Sequence, residues 1–174
     1  MHINIYLDNL NYRYDVYQMF NIFYTFHELK FVNEADIYDY KVEIGEEFIK
    51  VSSKNDSYIE KTTKDDNFKE CLKRCIFSFL TAKLKDYYPW GILVGIRPSK
   101  IALKKLNEGK TEKEIINYFE SNYLATKEKA KLCIDVAKLE KEFVNKDEKT
   151  ISIYVGMAFC PTRCLYCSFA ANPI

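Results

Sequence analysis

Glycine and proline are scarce in this sequence, with 5 and 4 copies among 174 residues. This scarcity excludes a collagen-like chain, a flexible linker and a proline-rich ligand, since each of these needs far more of one or both residues. An excess of charge is also missing, because 26 basic residues are balanced by 25 acidic ones and the formal net charge is +1. The composition therefore gives no indication of a broad nucleic-acid or anionic-lipid surface.

Long hydrophobic runs are lacking as well. The longest covers residues 90–96, far short of the roughly 20 residues that a membrane-spanning helix needs. Near the N-terminus, Asp8, Arg13 and Asp15 interrupt the stretch where a signal peptide would have its apolar run. We therefore expect a cytoplasmic protein with no membrane partner. Six cysteines in that compartment are expected to be free thiols or metal ligands rather than disulfides.

The sequence does contain a core-forming composition, with 48% hydrophobic and 29% charged residues. Alternation of apolar and polar residues predicts a strand at residues 2–7 and a hairpin at 40–51. Helical spacing of apolar residues predicts five helices, at residues 14–26, 66–88, 99–108 and 126–145 and after the T-x-x-E capping box of Thr111 and Glu114. The first of two domains, over residues 1–148, is therefore predicted to be α+β.

Three of the six cysteines lie on predicted helices. Cys71 and Cys75 are four residues apart on the second helix, and Cys133 lies on the last one. Two thiols at that spacing could share a metal ion. We favour a place in the core for all three, because a free cysteine packs as a small hydrophobic residue.

A group of basic residues lies near the predicted start of the third helix. It comprises Arg97, Lys100, Lys104 and Lys105. A phosphate, a propionate or an RNA backbone could bind there. A solvated helix face is the favoured interpretation.

The remaining cysteines, Cys160, Cys164 and Cys167, form a C-x3-C-x2-C motif directly after a strand predicted at residues 151–155. Three thiolates on one short loop can ligate three irons of a [4Fe–4S] cube. The fourth iron then has no protein ligand and is open to a small molecule. In a β/α barrel, the loops at the carboxyl ends of the strands build the active site. The place of the motif after a predicted strand and the open iron that three thiolates leave therefore both favour a catalytic cluster.

Other uses of this motif stay open. A zinc site needs four ligands, and the only histidines of the sequence are His2 and His27. A ferredoxin-like electron carrier needs a fourth ligating cysteine, and none follows Cys167. A non-catalytic module that holds zinc or an iron–sulfur cluster is therefore the alternative of a different class.

The motif, with Tyr166 directly before its last cysteine, resembles the signature of the radical S-adenosylmethionine (SAM) enzymes. The wider run of residues 154–169 is similar to a narrower branch, the oxygen-independent coproporphyrinogen III oxidases or dehydrogenases, and within it to the HemZ-like group. Residues 95–101 also resemble that group. The resemblance implies that the three cysteines are the cluster ligands. It also implies that Tyr154 and Tyr166 lie beside SAM.

The same resemblance implies a reaction, partners and a second domain. The cofactors would be a [4Fe–4S] cluster and SAM, and the substrate would be the tetrapyrrole coproporphyrinogen III. Conversion of two of its propionates to vinyl groups would give protoporphyrinogen IX for heme biosynthesis. Ferredoxin or flavodoxin would be the reductant. Relatives that act as heme chaperones or on other substrates are an alternative. Residues 149–174 would be the first strand and cluster loop of a truncated TIM-like β/α barrel. Because such a barrel needs about 200 residues, we expect no turnover from these 174 residues alone.

Overall fold

The computed structural model describes residues 2–33, 38–63, 67–143, 149, 151, 153–156, 159–161 and 172–173, which form an α+β fold. The strands are β1 (His2–Leu7), β2 (Glu28–Val32), β3 (Tyr40–Ile44), β4 (Phe48–Ser52), β5 (Ser57–Lys61), β6 (Phe159–Cys160) and β7 (Asn172–Pro173). The α-helices are α1 (Arg13–Phe23), α2 (Phe68–Leu84), α3 (Pro98–Asn107), α4 (Glu112–Tyr123) and α5 (Lys127–Phe143). Within the described part of the chain, no helix is long and apolar enough to cross a membrane.

A mixed five-stranded sheet has the strand order β2-β1-β3-β4-β5. Strand β1 is parallel to both of its neighbours, and β4 is antiparallel to both β3 and β5. Its register places Leu7 beside Val42, and Val42 lies opposite Val51. All three side chains are buried. Because side chains alternate between the two faces of a strand, these residues fill one face of the sheet.

Helices α1 and α2 pack against each other on the sheet, with α2 against β4 and β5. Leu72, Ile76 and Leu80 of α2 are fully buried, as expected for an amphipathic helix. Two ion pairs fix the position of α2. Arg74 Nη2 lies 2.8 Å from Glu60 Oε1 of β5, and Lys73 Nζ lies 3.0 Å from Asp15 Oδ1 of α1.

The remaining helices form a second layer, in which α5 packs on α3 and α4, and α4 also contacts α2. The inner face of α5 is made of small or branched residues, Ala130, Cys133, Ile134 and Ala137, which are buried. A second apolar stripe of α5 is more exposed. It comprises Leu132, Val136, Leu139 and Phe143, whose exposed fractions range from 38% to 82%. Within the described residues, α5 therefore packs on its two neighbours mainly through the inner face.

Strands β2 and β5 were not predicted from the sequence. They are the two edge strands of the sheet. Strand β5 is almost entirely exposed, so neither of its faces needs apolar residues, and it lacks the period-two apolar pattern that predicts a strand. Strand β1 and the hairpin of β3 and β4 are confirmed. The helix predicted to run to residue 88 ends at Leu84, because Lys85 adopts a left-handed conformation with φ of 57°.

The start of α4 confirms the predicted capping box. The Thr111 backbone N–H donates to Glu114 Oε2 at 2.8 Å, and Thr111 Oγ1 accepts from the Glu114 backbone N–H at 3.3 Å. The carboxylate of Glu114 accepts hydrogen bonds from the Thr111 backbone N–H, the Thr111 hydroxyl and Lys110, and these lower its pKa to about 2, below its ordinary value of 4.5. The carboxylate therefore stabilises the helix start only while it is ionised.

We expect Glu114→Gln to destabilise the fold in a pH-dependent way. The pKa of Glu114 is lowered on folding, so its ionisation contributes stability that is fully present above pH 4.5 and is lost as the pH falls towards 2. The difference in unfolding free energy between wild type and E114Q should therefore shrink through that window, as measured by urea titration at several pH values. Glu120→Gln removes an exposed carboxylate of the same helix outside the box and is the control. An E114Q effect that is constant from pH 7 to pH 3 would contradict the assignment.

Candidate iron–sulfur site

Cys160 lies in the short strand β6, which pairs in parallel with β7. The register places Phe159 beside Asn172 and Cys160 beside Pro173. The Cys160 thiol is free and the residue is half-buried. The first predicted cluster ligand is therefore at the end of a paired strand, with its sulfur not committed to a disulfide.

Cys164, Tyr166 and Cys167 fall between β6 and β7 in the sequence and lie outside the described residues. The part of the chain that is described contains no group of three or more metal-ligating side chains. The three-cysteine ligand set consequently remains a prediction.

Tyr154 is described and is 88% exposed. Its ring lies over Gly156, where an added Cβ would be 2.8 Å from Tyr154 Cε1. Glycine at position 156 therefore lets the ring lie flat against the backbone. The contact of Tyr154 with SAM stays a prediction.

The strand predicted at residues 151–155 is not formed at the four residues of this segment that the structure describes. Ile151, Ile153, Tyr154 and Val155 pair with no neighbouring strand and are 83–90% exposed. Alternating apolar residues form a strand only when a partner satisfies the backbone and covers one face. Neither condition is met for these residues, which explains the difference. The predicted barrel start and its boundary at residue 149 therefore stay predictions.

The three helical cysteines are in the core, as the sequence analysis favoured. Cys71, Cys75 and Cys133 are each at most 2% exposed. Cys75 Sγ lies 3.5 Å from the carbonyl oxygen of Ile49, and burial raises the pKa of its thiol to about 12. Burial also raises the pKa of Cys133. Because thiolates are the metal-binding form, the raised pKa values of Cys75 and Cys133 disfavour these two thiols as metal ligands.

A comparison with curated proteins reveals a relative, the oxygen-independent coproporphyrinogen-III oxidase-like protein HemZ of Bacillus subtilis (strain 168). The two sequences are 40% identical over 90 residues. This chain is similar to HemZ over about half of its length. The matched region makes up 49% of this chain but only 18% of HemZ. No protein-family model and no solved structure matches the chain.

The similarity to HemZ agrees with the resemblance found from the cysteine motif, which pointed to the same group. It supports a relation to proteins of coproporphyrinogen metabolism. Since most of HemZ has no counterpart in the match, the reaction and substrate of this chain are matters for a proposal.

Proposed function

We propose that this chain is the N-terminal part of a radical SAM enzyme related to the oxygen-independent coproporphyrinogen III dehydrogenases. The observation that carries the proposal is the motif of Cys160, Cys164 and Cys167, which begins at the paired strand β6. The similarity to HemZ supports it as well. Residues 1–148 would be an accessory α+β domain, and residues 149–174 the start of a barrel.

The donor set fits a [4Fe–4S] cluster. Thiolate is the ligand that iron–sulfur clusters use, and three thiolates leave one iron for a chelating cosubstrate. Cys160 is only half-buried and free, in contrast to the core thiols, so its sulfur is accessible for ligation. When bound, the cluster and SAM would supply radical chemistry for the oxidative decarboxylation of a substrate propionate to a vinyl group.

The tasks of this chain's own residues are then ligation and positioning. The three cysteines would hold the cluster, and Tyr154 and Tyr166 would lie beside SAM. The exposed ring of Tyr154 supports its role, because the ring is not engaged in the α+β core. Ferredoxin or flavodoxin would supply electrons. The substrate would be coproporphyrinogen III, and its radical chemistry would require the shielding cavity of a complete barrel.

Anaerobic reconstitution of the chain with iron and sulfide tests this proposal. We expect about four iron and four sulfide per chain, and an electron paramagnetic resonance spectrum of the reduced cluster that changes when SAM is added. The spectral change reports the open iron, which a fully protein-ligated cluster lacks. Binding of stoichiometric zinc in place of iron, or a cluster spectrum indifferent to SAM, would instead indicate a structural or redox module.

A further inference from the structure

An open groove of about 860 Å³ lies between α3 and α4. Its volume is within the range of small-molecule and cofactor sites, about 300–1,000 Å³. Most of its lining is apolar, with Ile101 and Leu103 of α3 on one side and the rings of Tyr118 and Tyr123 of α4 on the other. A ligand in this groove would therefore need a broad apolar body.

The cations predicted to lie on a solvated helix face are at this groove. Arg97, Lys100, Lys104 and Lys105 all line it, and Glu108 is the single acidic residue among the lining residues. Glu108 is already paired with Lys105 at 3.0 Å. A chain of net charge +1 therefore concentrates several positive charges in one place.

Lys100 and Lys104 are the cations available to a ligand. Both are exposed, and they lie at positions i and i+4 of α3. Like charges at this spacing repel each other weakly, and an anion bound between the two ammonium groups would remove this repulsion. Arg97 is less available, because its Nε is 4.0 Å from Glu140 Oε1.

The aromatic side of the groove is fixed in place. Lys105 Nζ lies 4.6 Å from the ring centroid of Tyr118, and the hydroxyl groups of Tyr118 and Tyr123 are 3.4 Å apart. Tyr123 is buried and Tyr118 is half-buried, so the groove meets only part of each ring. These ring surfaces and the aliphatic side chains of α3 together form an apolar lining, which suits a ring system with acidic side chains.

We propose that this groove binds a propionate-bearing tetrapyrrole, with carboxylates on Lys100 and Lys104 and the macrocycle against the apolar lining. The ligand class rests on the proposed function and on the coproporphyrinogen in the name of HemZ. Volume, apolar lining and clustered cations of the groove match that class independently of the cysteine motif. The groove is lined by α3, the residues flanking α3, and α4, so it requires neither the cluster nor a barrel.

The test is titration of the cluster-free, full 174-residue chain with coproporphyrin III, the fluorescent oxidised form that has the same four propionates. We expect saturable binding that weakens as salt is raised. The double variant K100E/K104E should weaken binding roughly tenfold or more, because two charge-assisted contacts become repulsive.

A second double variant, K113E/K127E, is the matched control. It makes the same change in net charge at exposed helical lysines that do not line the groove, and we expect its affinity to stay within about twofold of wild type. Circular dichroism checks that both variants fold. The proposal would be overturned by equal weakening in both variants or by an absence of saturable binding. Displacement of the porphyrin by equimolar polyglutamate would also overturn it, because that result would indicate a site for acidic peptides.

Failure of this assay is distinguishable from failure of the proposed function. The titration uses chain without iron, whereas the reconstitution experiment uses no porphyrin. A chain that assembles a SAM-responsive cluster but does not bind coproporphyrin III would refute the groove proposal alone.

Discussion

Serine substitution of any one of Cys160, Cys164 and Cys167 is expected to reduce the iron bound after reconstitution from about four atoms per chain to about one or fewer. Three thiolates are the smallest protein ligand set that leaves a single iron open. Two thiolates would leave half of the cube without protein ligands, and a serine hydroxyl is a harder donor that iron–sulfur clusters rarely use. Iron and sulfide analysis, together with the visible absorption of the cluster, measures the loss.

Cys133→Ala is the matched control for these variants. Cys133 is also a free cysteine but is 2% exposed on the inner face of α5. Its replacement should leave iron content and the response to SAM unchanged, at the cost of a modest loss of stability from the small cavity. A C160S, C164S or C167S protein that retained a complete, SAM-responsive cluster would refute the ligand assignment.

Gly91→Ala is expected to reduce the free energy of unfolding by roughly 3 kcal/mol. Gly91 has φ of +56°, where a side chain costs about 1–2 kcal/mol. An added Cβ would also lie 2.6 Å from the carbonyl carbon of Leu124 and still closer to the carbonyl oxygen of Tyr123. That oxygen accepts the Ile92 backbone N–H at 2.9 Å, so the backbone could not move away without losing this hydrogen bond.

Gly109→Ala separates the two contributions. Gly109 has a similar conformation, with φ of +79°, but an added Cβ there would meet nothing within 4 Å. We expect a loss of about 1 kcal/mol from conformation alone, and the difference between the variants measures the close approach of the loop to α4. Urea unfolding at pH 7 provides both values. Equal losses for G91A and G109A would show that the loop does not pack against α4 as described.

The elements that the sequence predicted correctly are those with a local signal. The capping box of Thr111 and Glu114 acts within one helical turn, and it is found in the structure. Strand β5 has no such local signal, since its sequence shows no period-two apolar pattern. It forms because β4 supplies its hydrogen-bond partners, and those partners are distant information that the β5 sequence does not contain. The left-handed Lys85 that ends α2 likewise could not be predicted, since lysine rarely adopts this conformation.

The candidate sites differ in the same way. The cysteine motif is contiguous in sequence, so its spacing indicates a metal or iron–sulfur site without help from the fold, and this ligand set stays a prediction. The groove combines lysines of α3 with tyrosines of α4, about 15 residues further along the chain, and nothing in either segment indicates the other. The outer stripe of α5 shows the converse limit, because helical periodicity predicts an apolar face without saying whether another element covers it.

The protection of Cys71, Cys75 and Cys133 from solvent has a practical consequence. An alkylating reagent can reach them only when the packed interior opens, so the speed at which they become labelled measures how often opening occurs. Cys71 and Cys75 report on the helix that packs against the sheet, and Cys133 on the layer of α3, α4 and α5. Mass spectrometry of alkylated peptides would thus show whether these two parts of the molecule open together or separately.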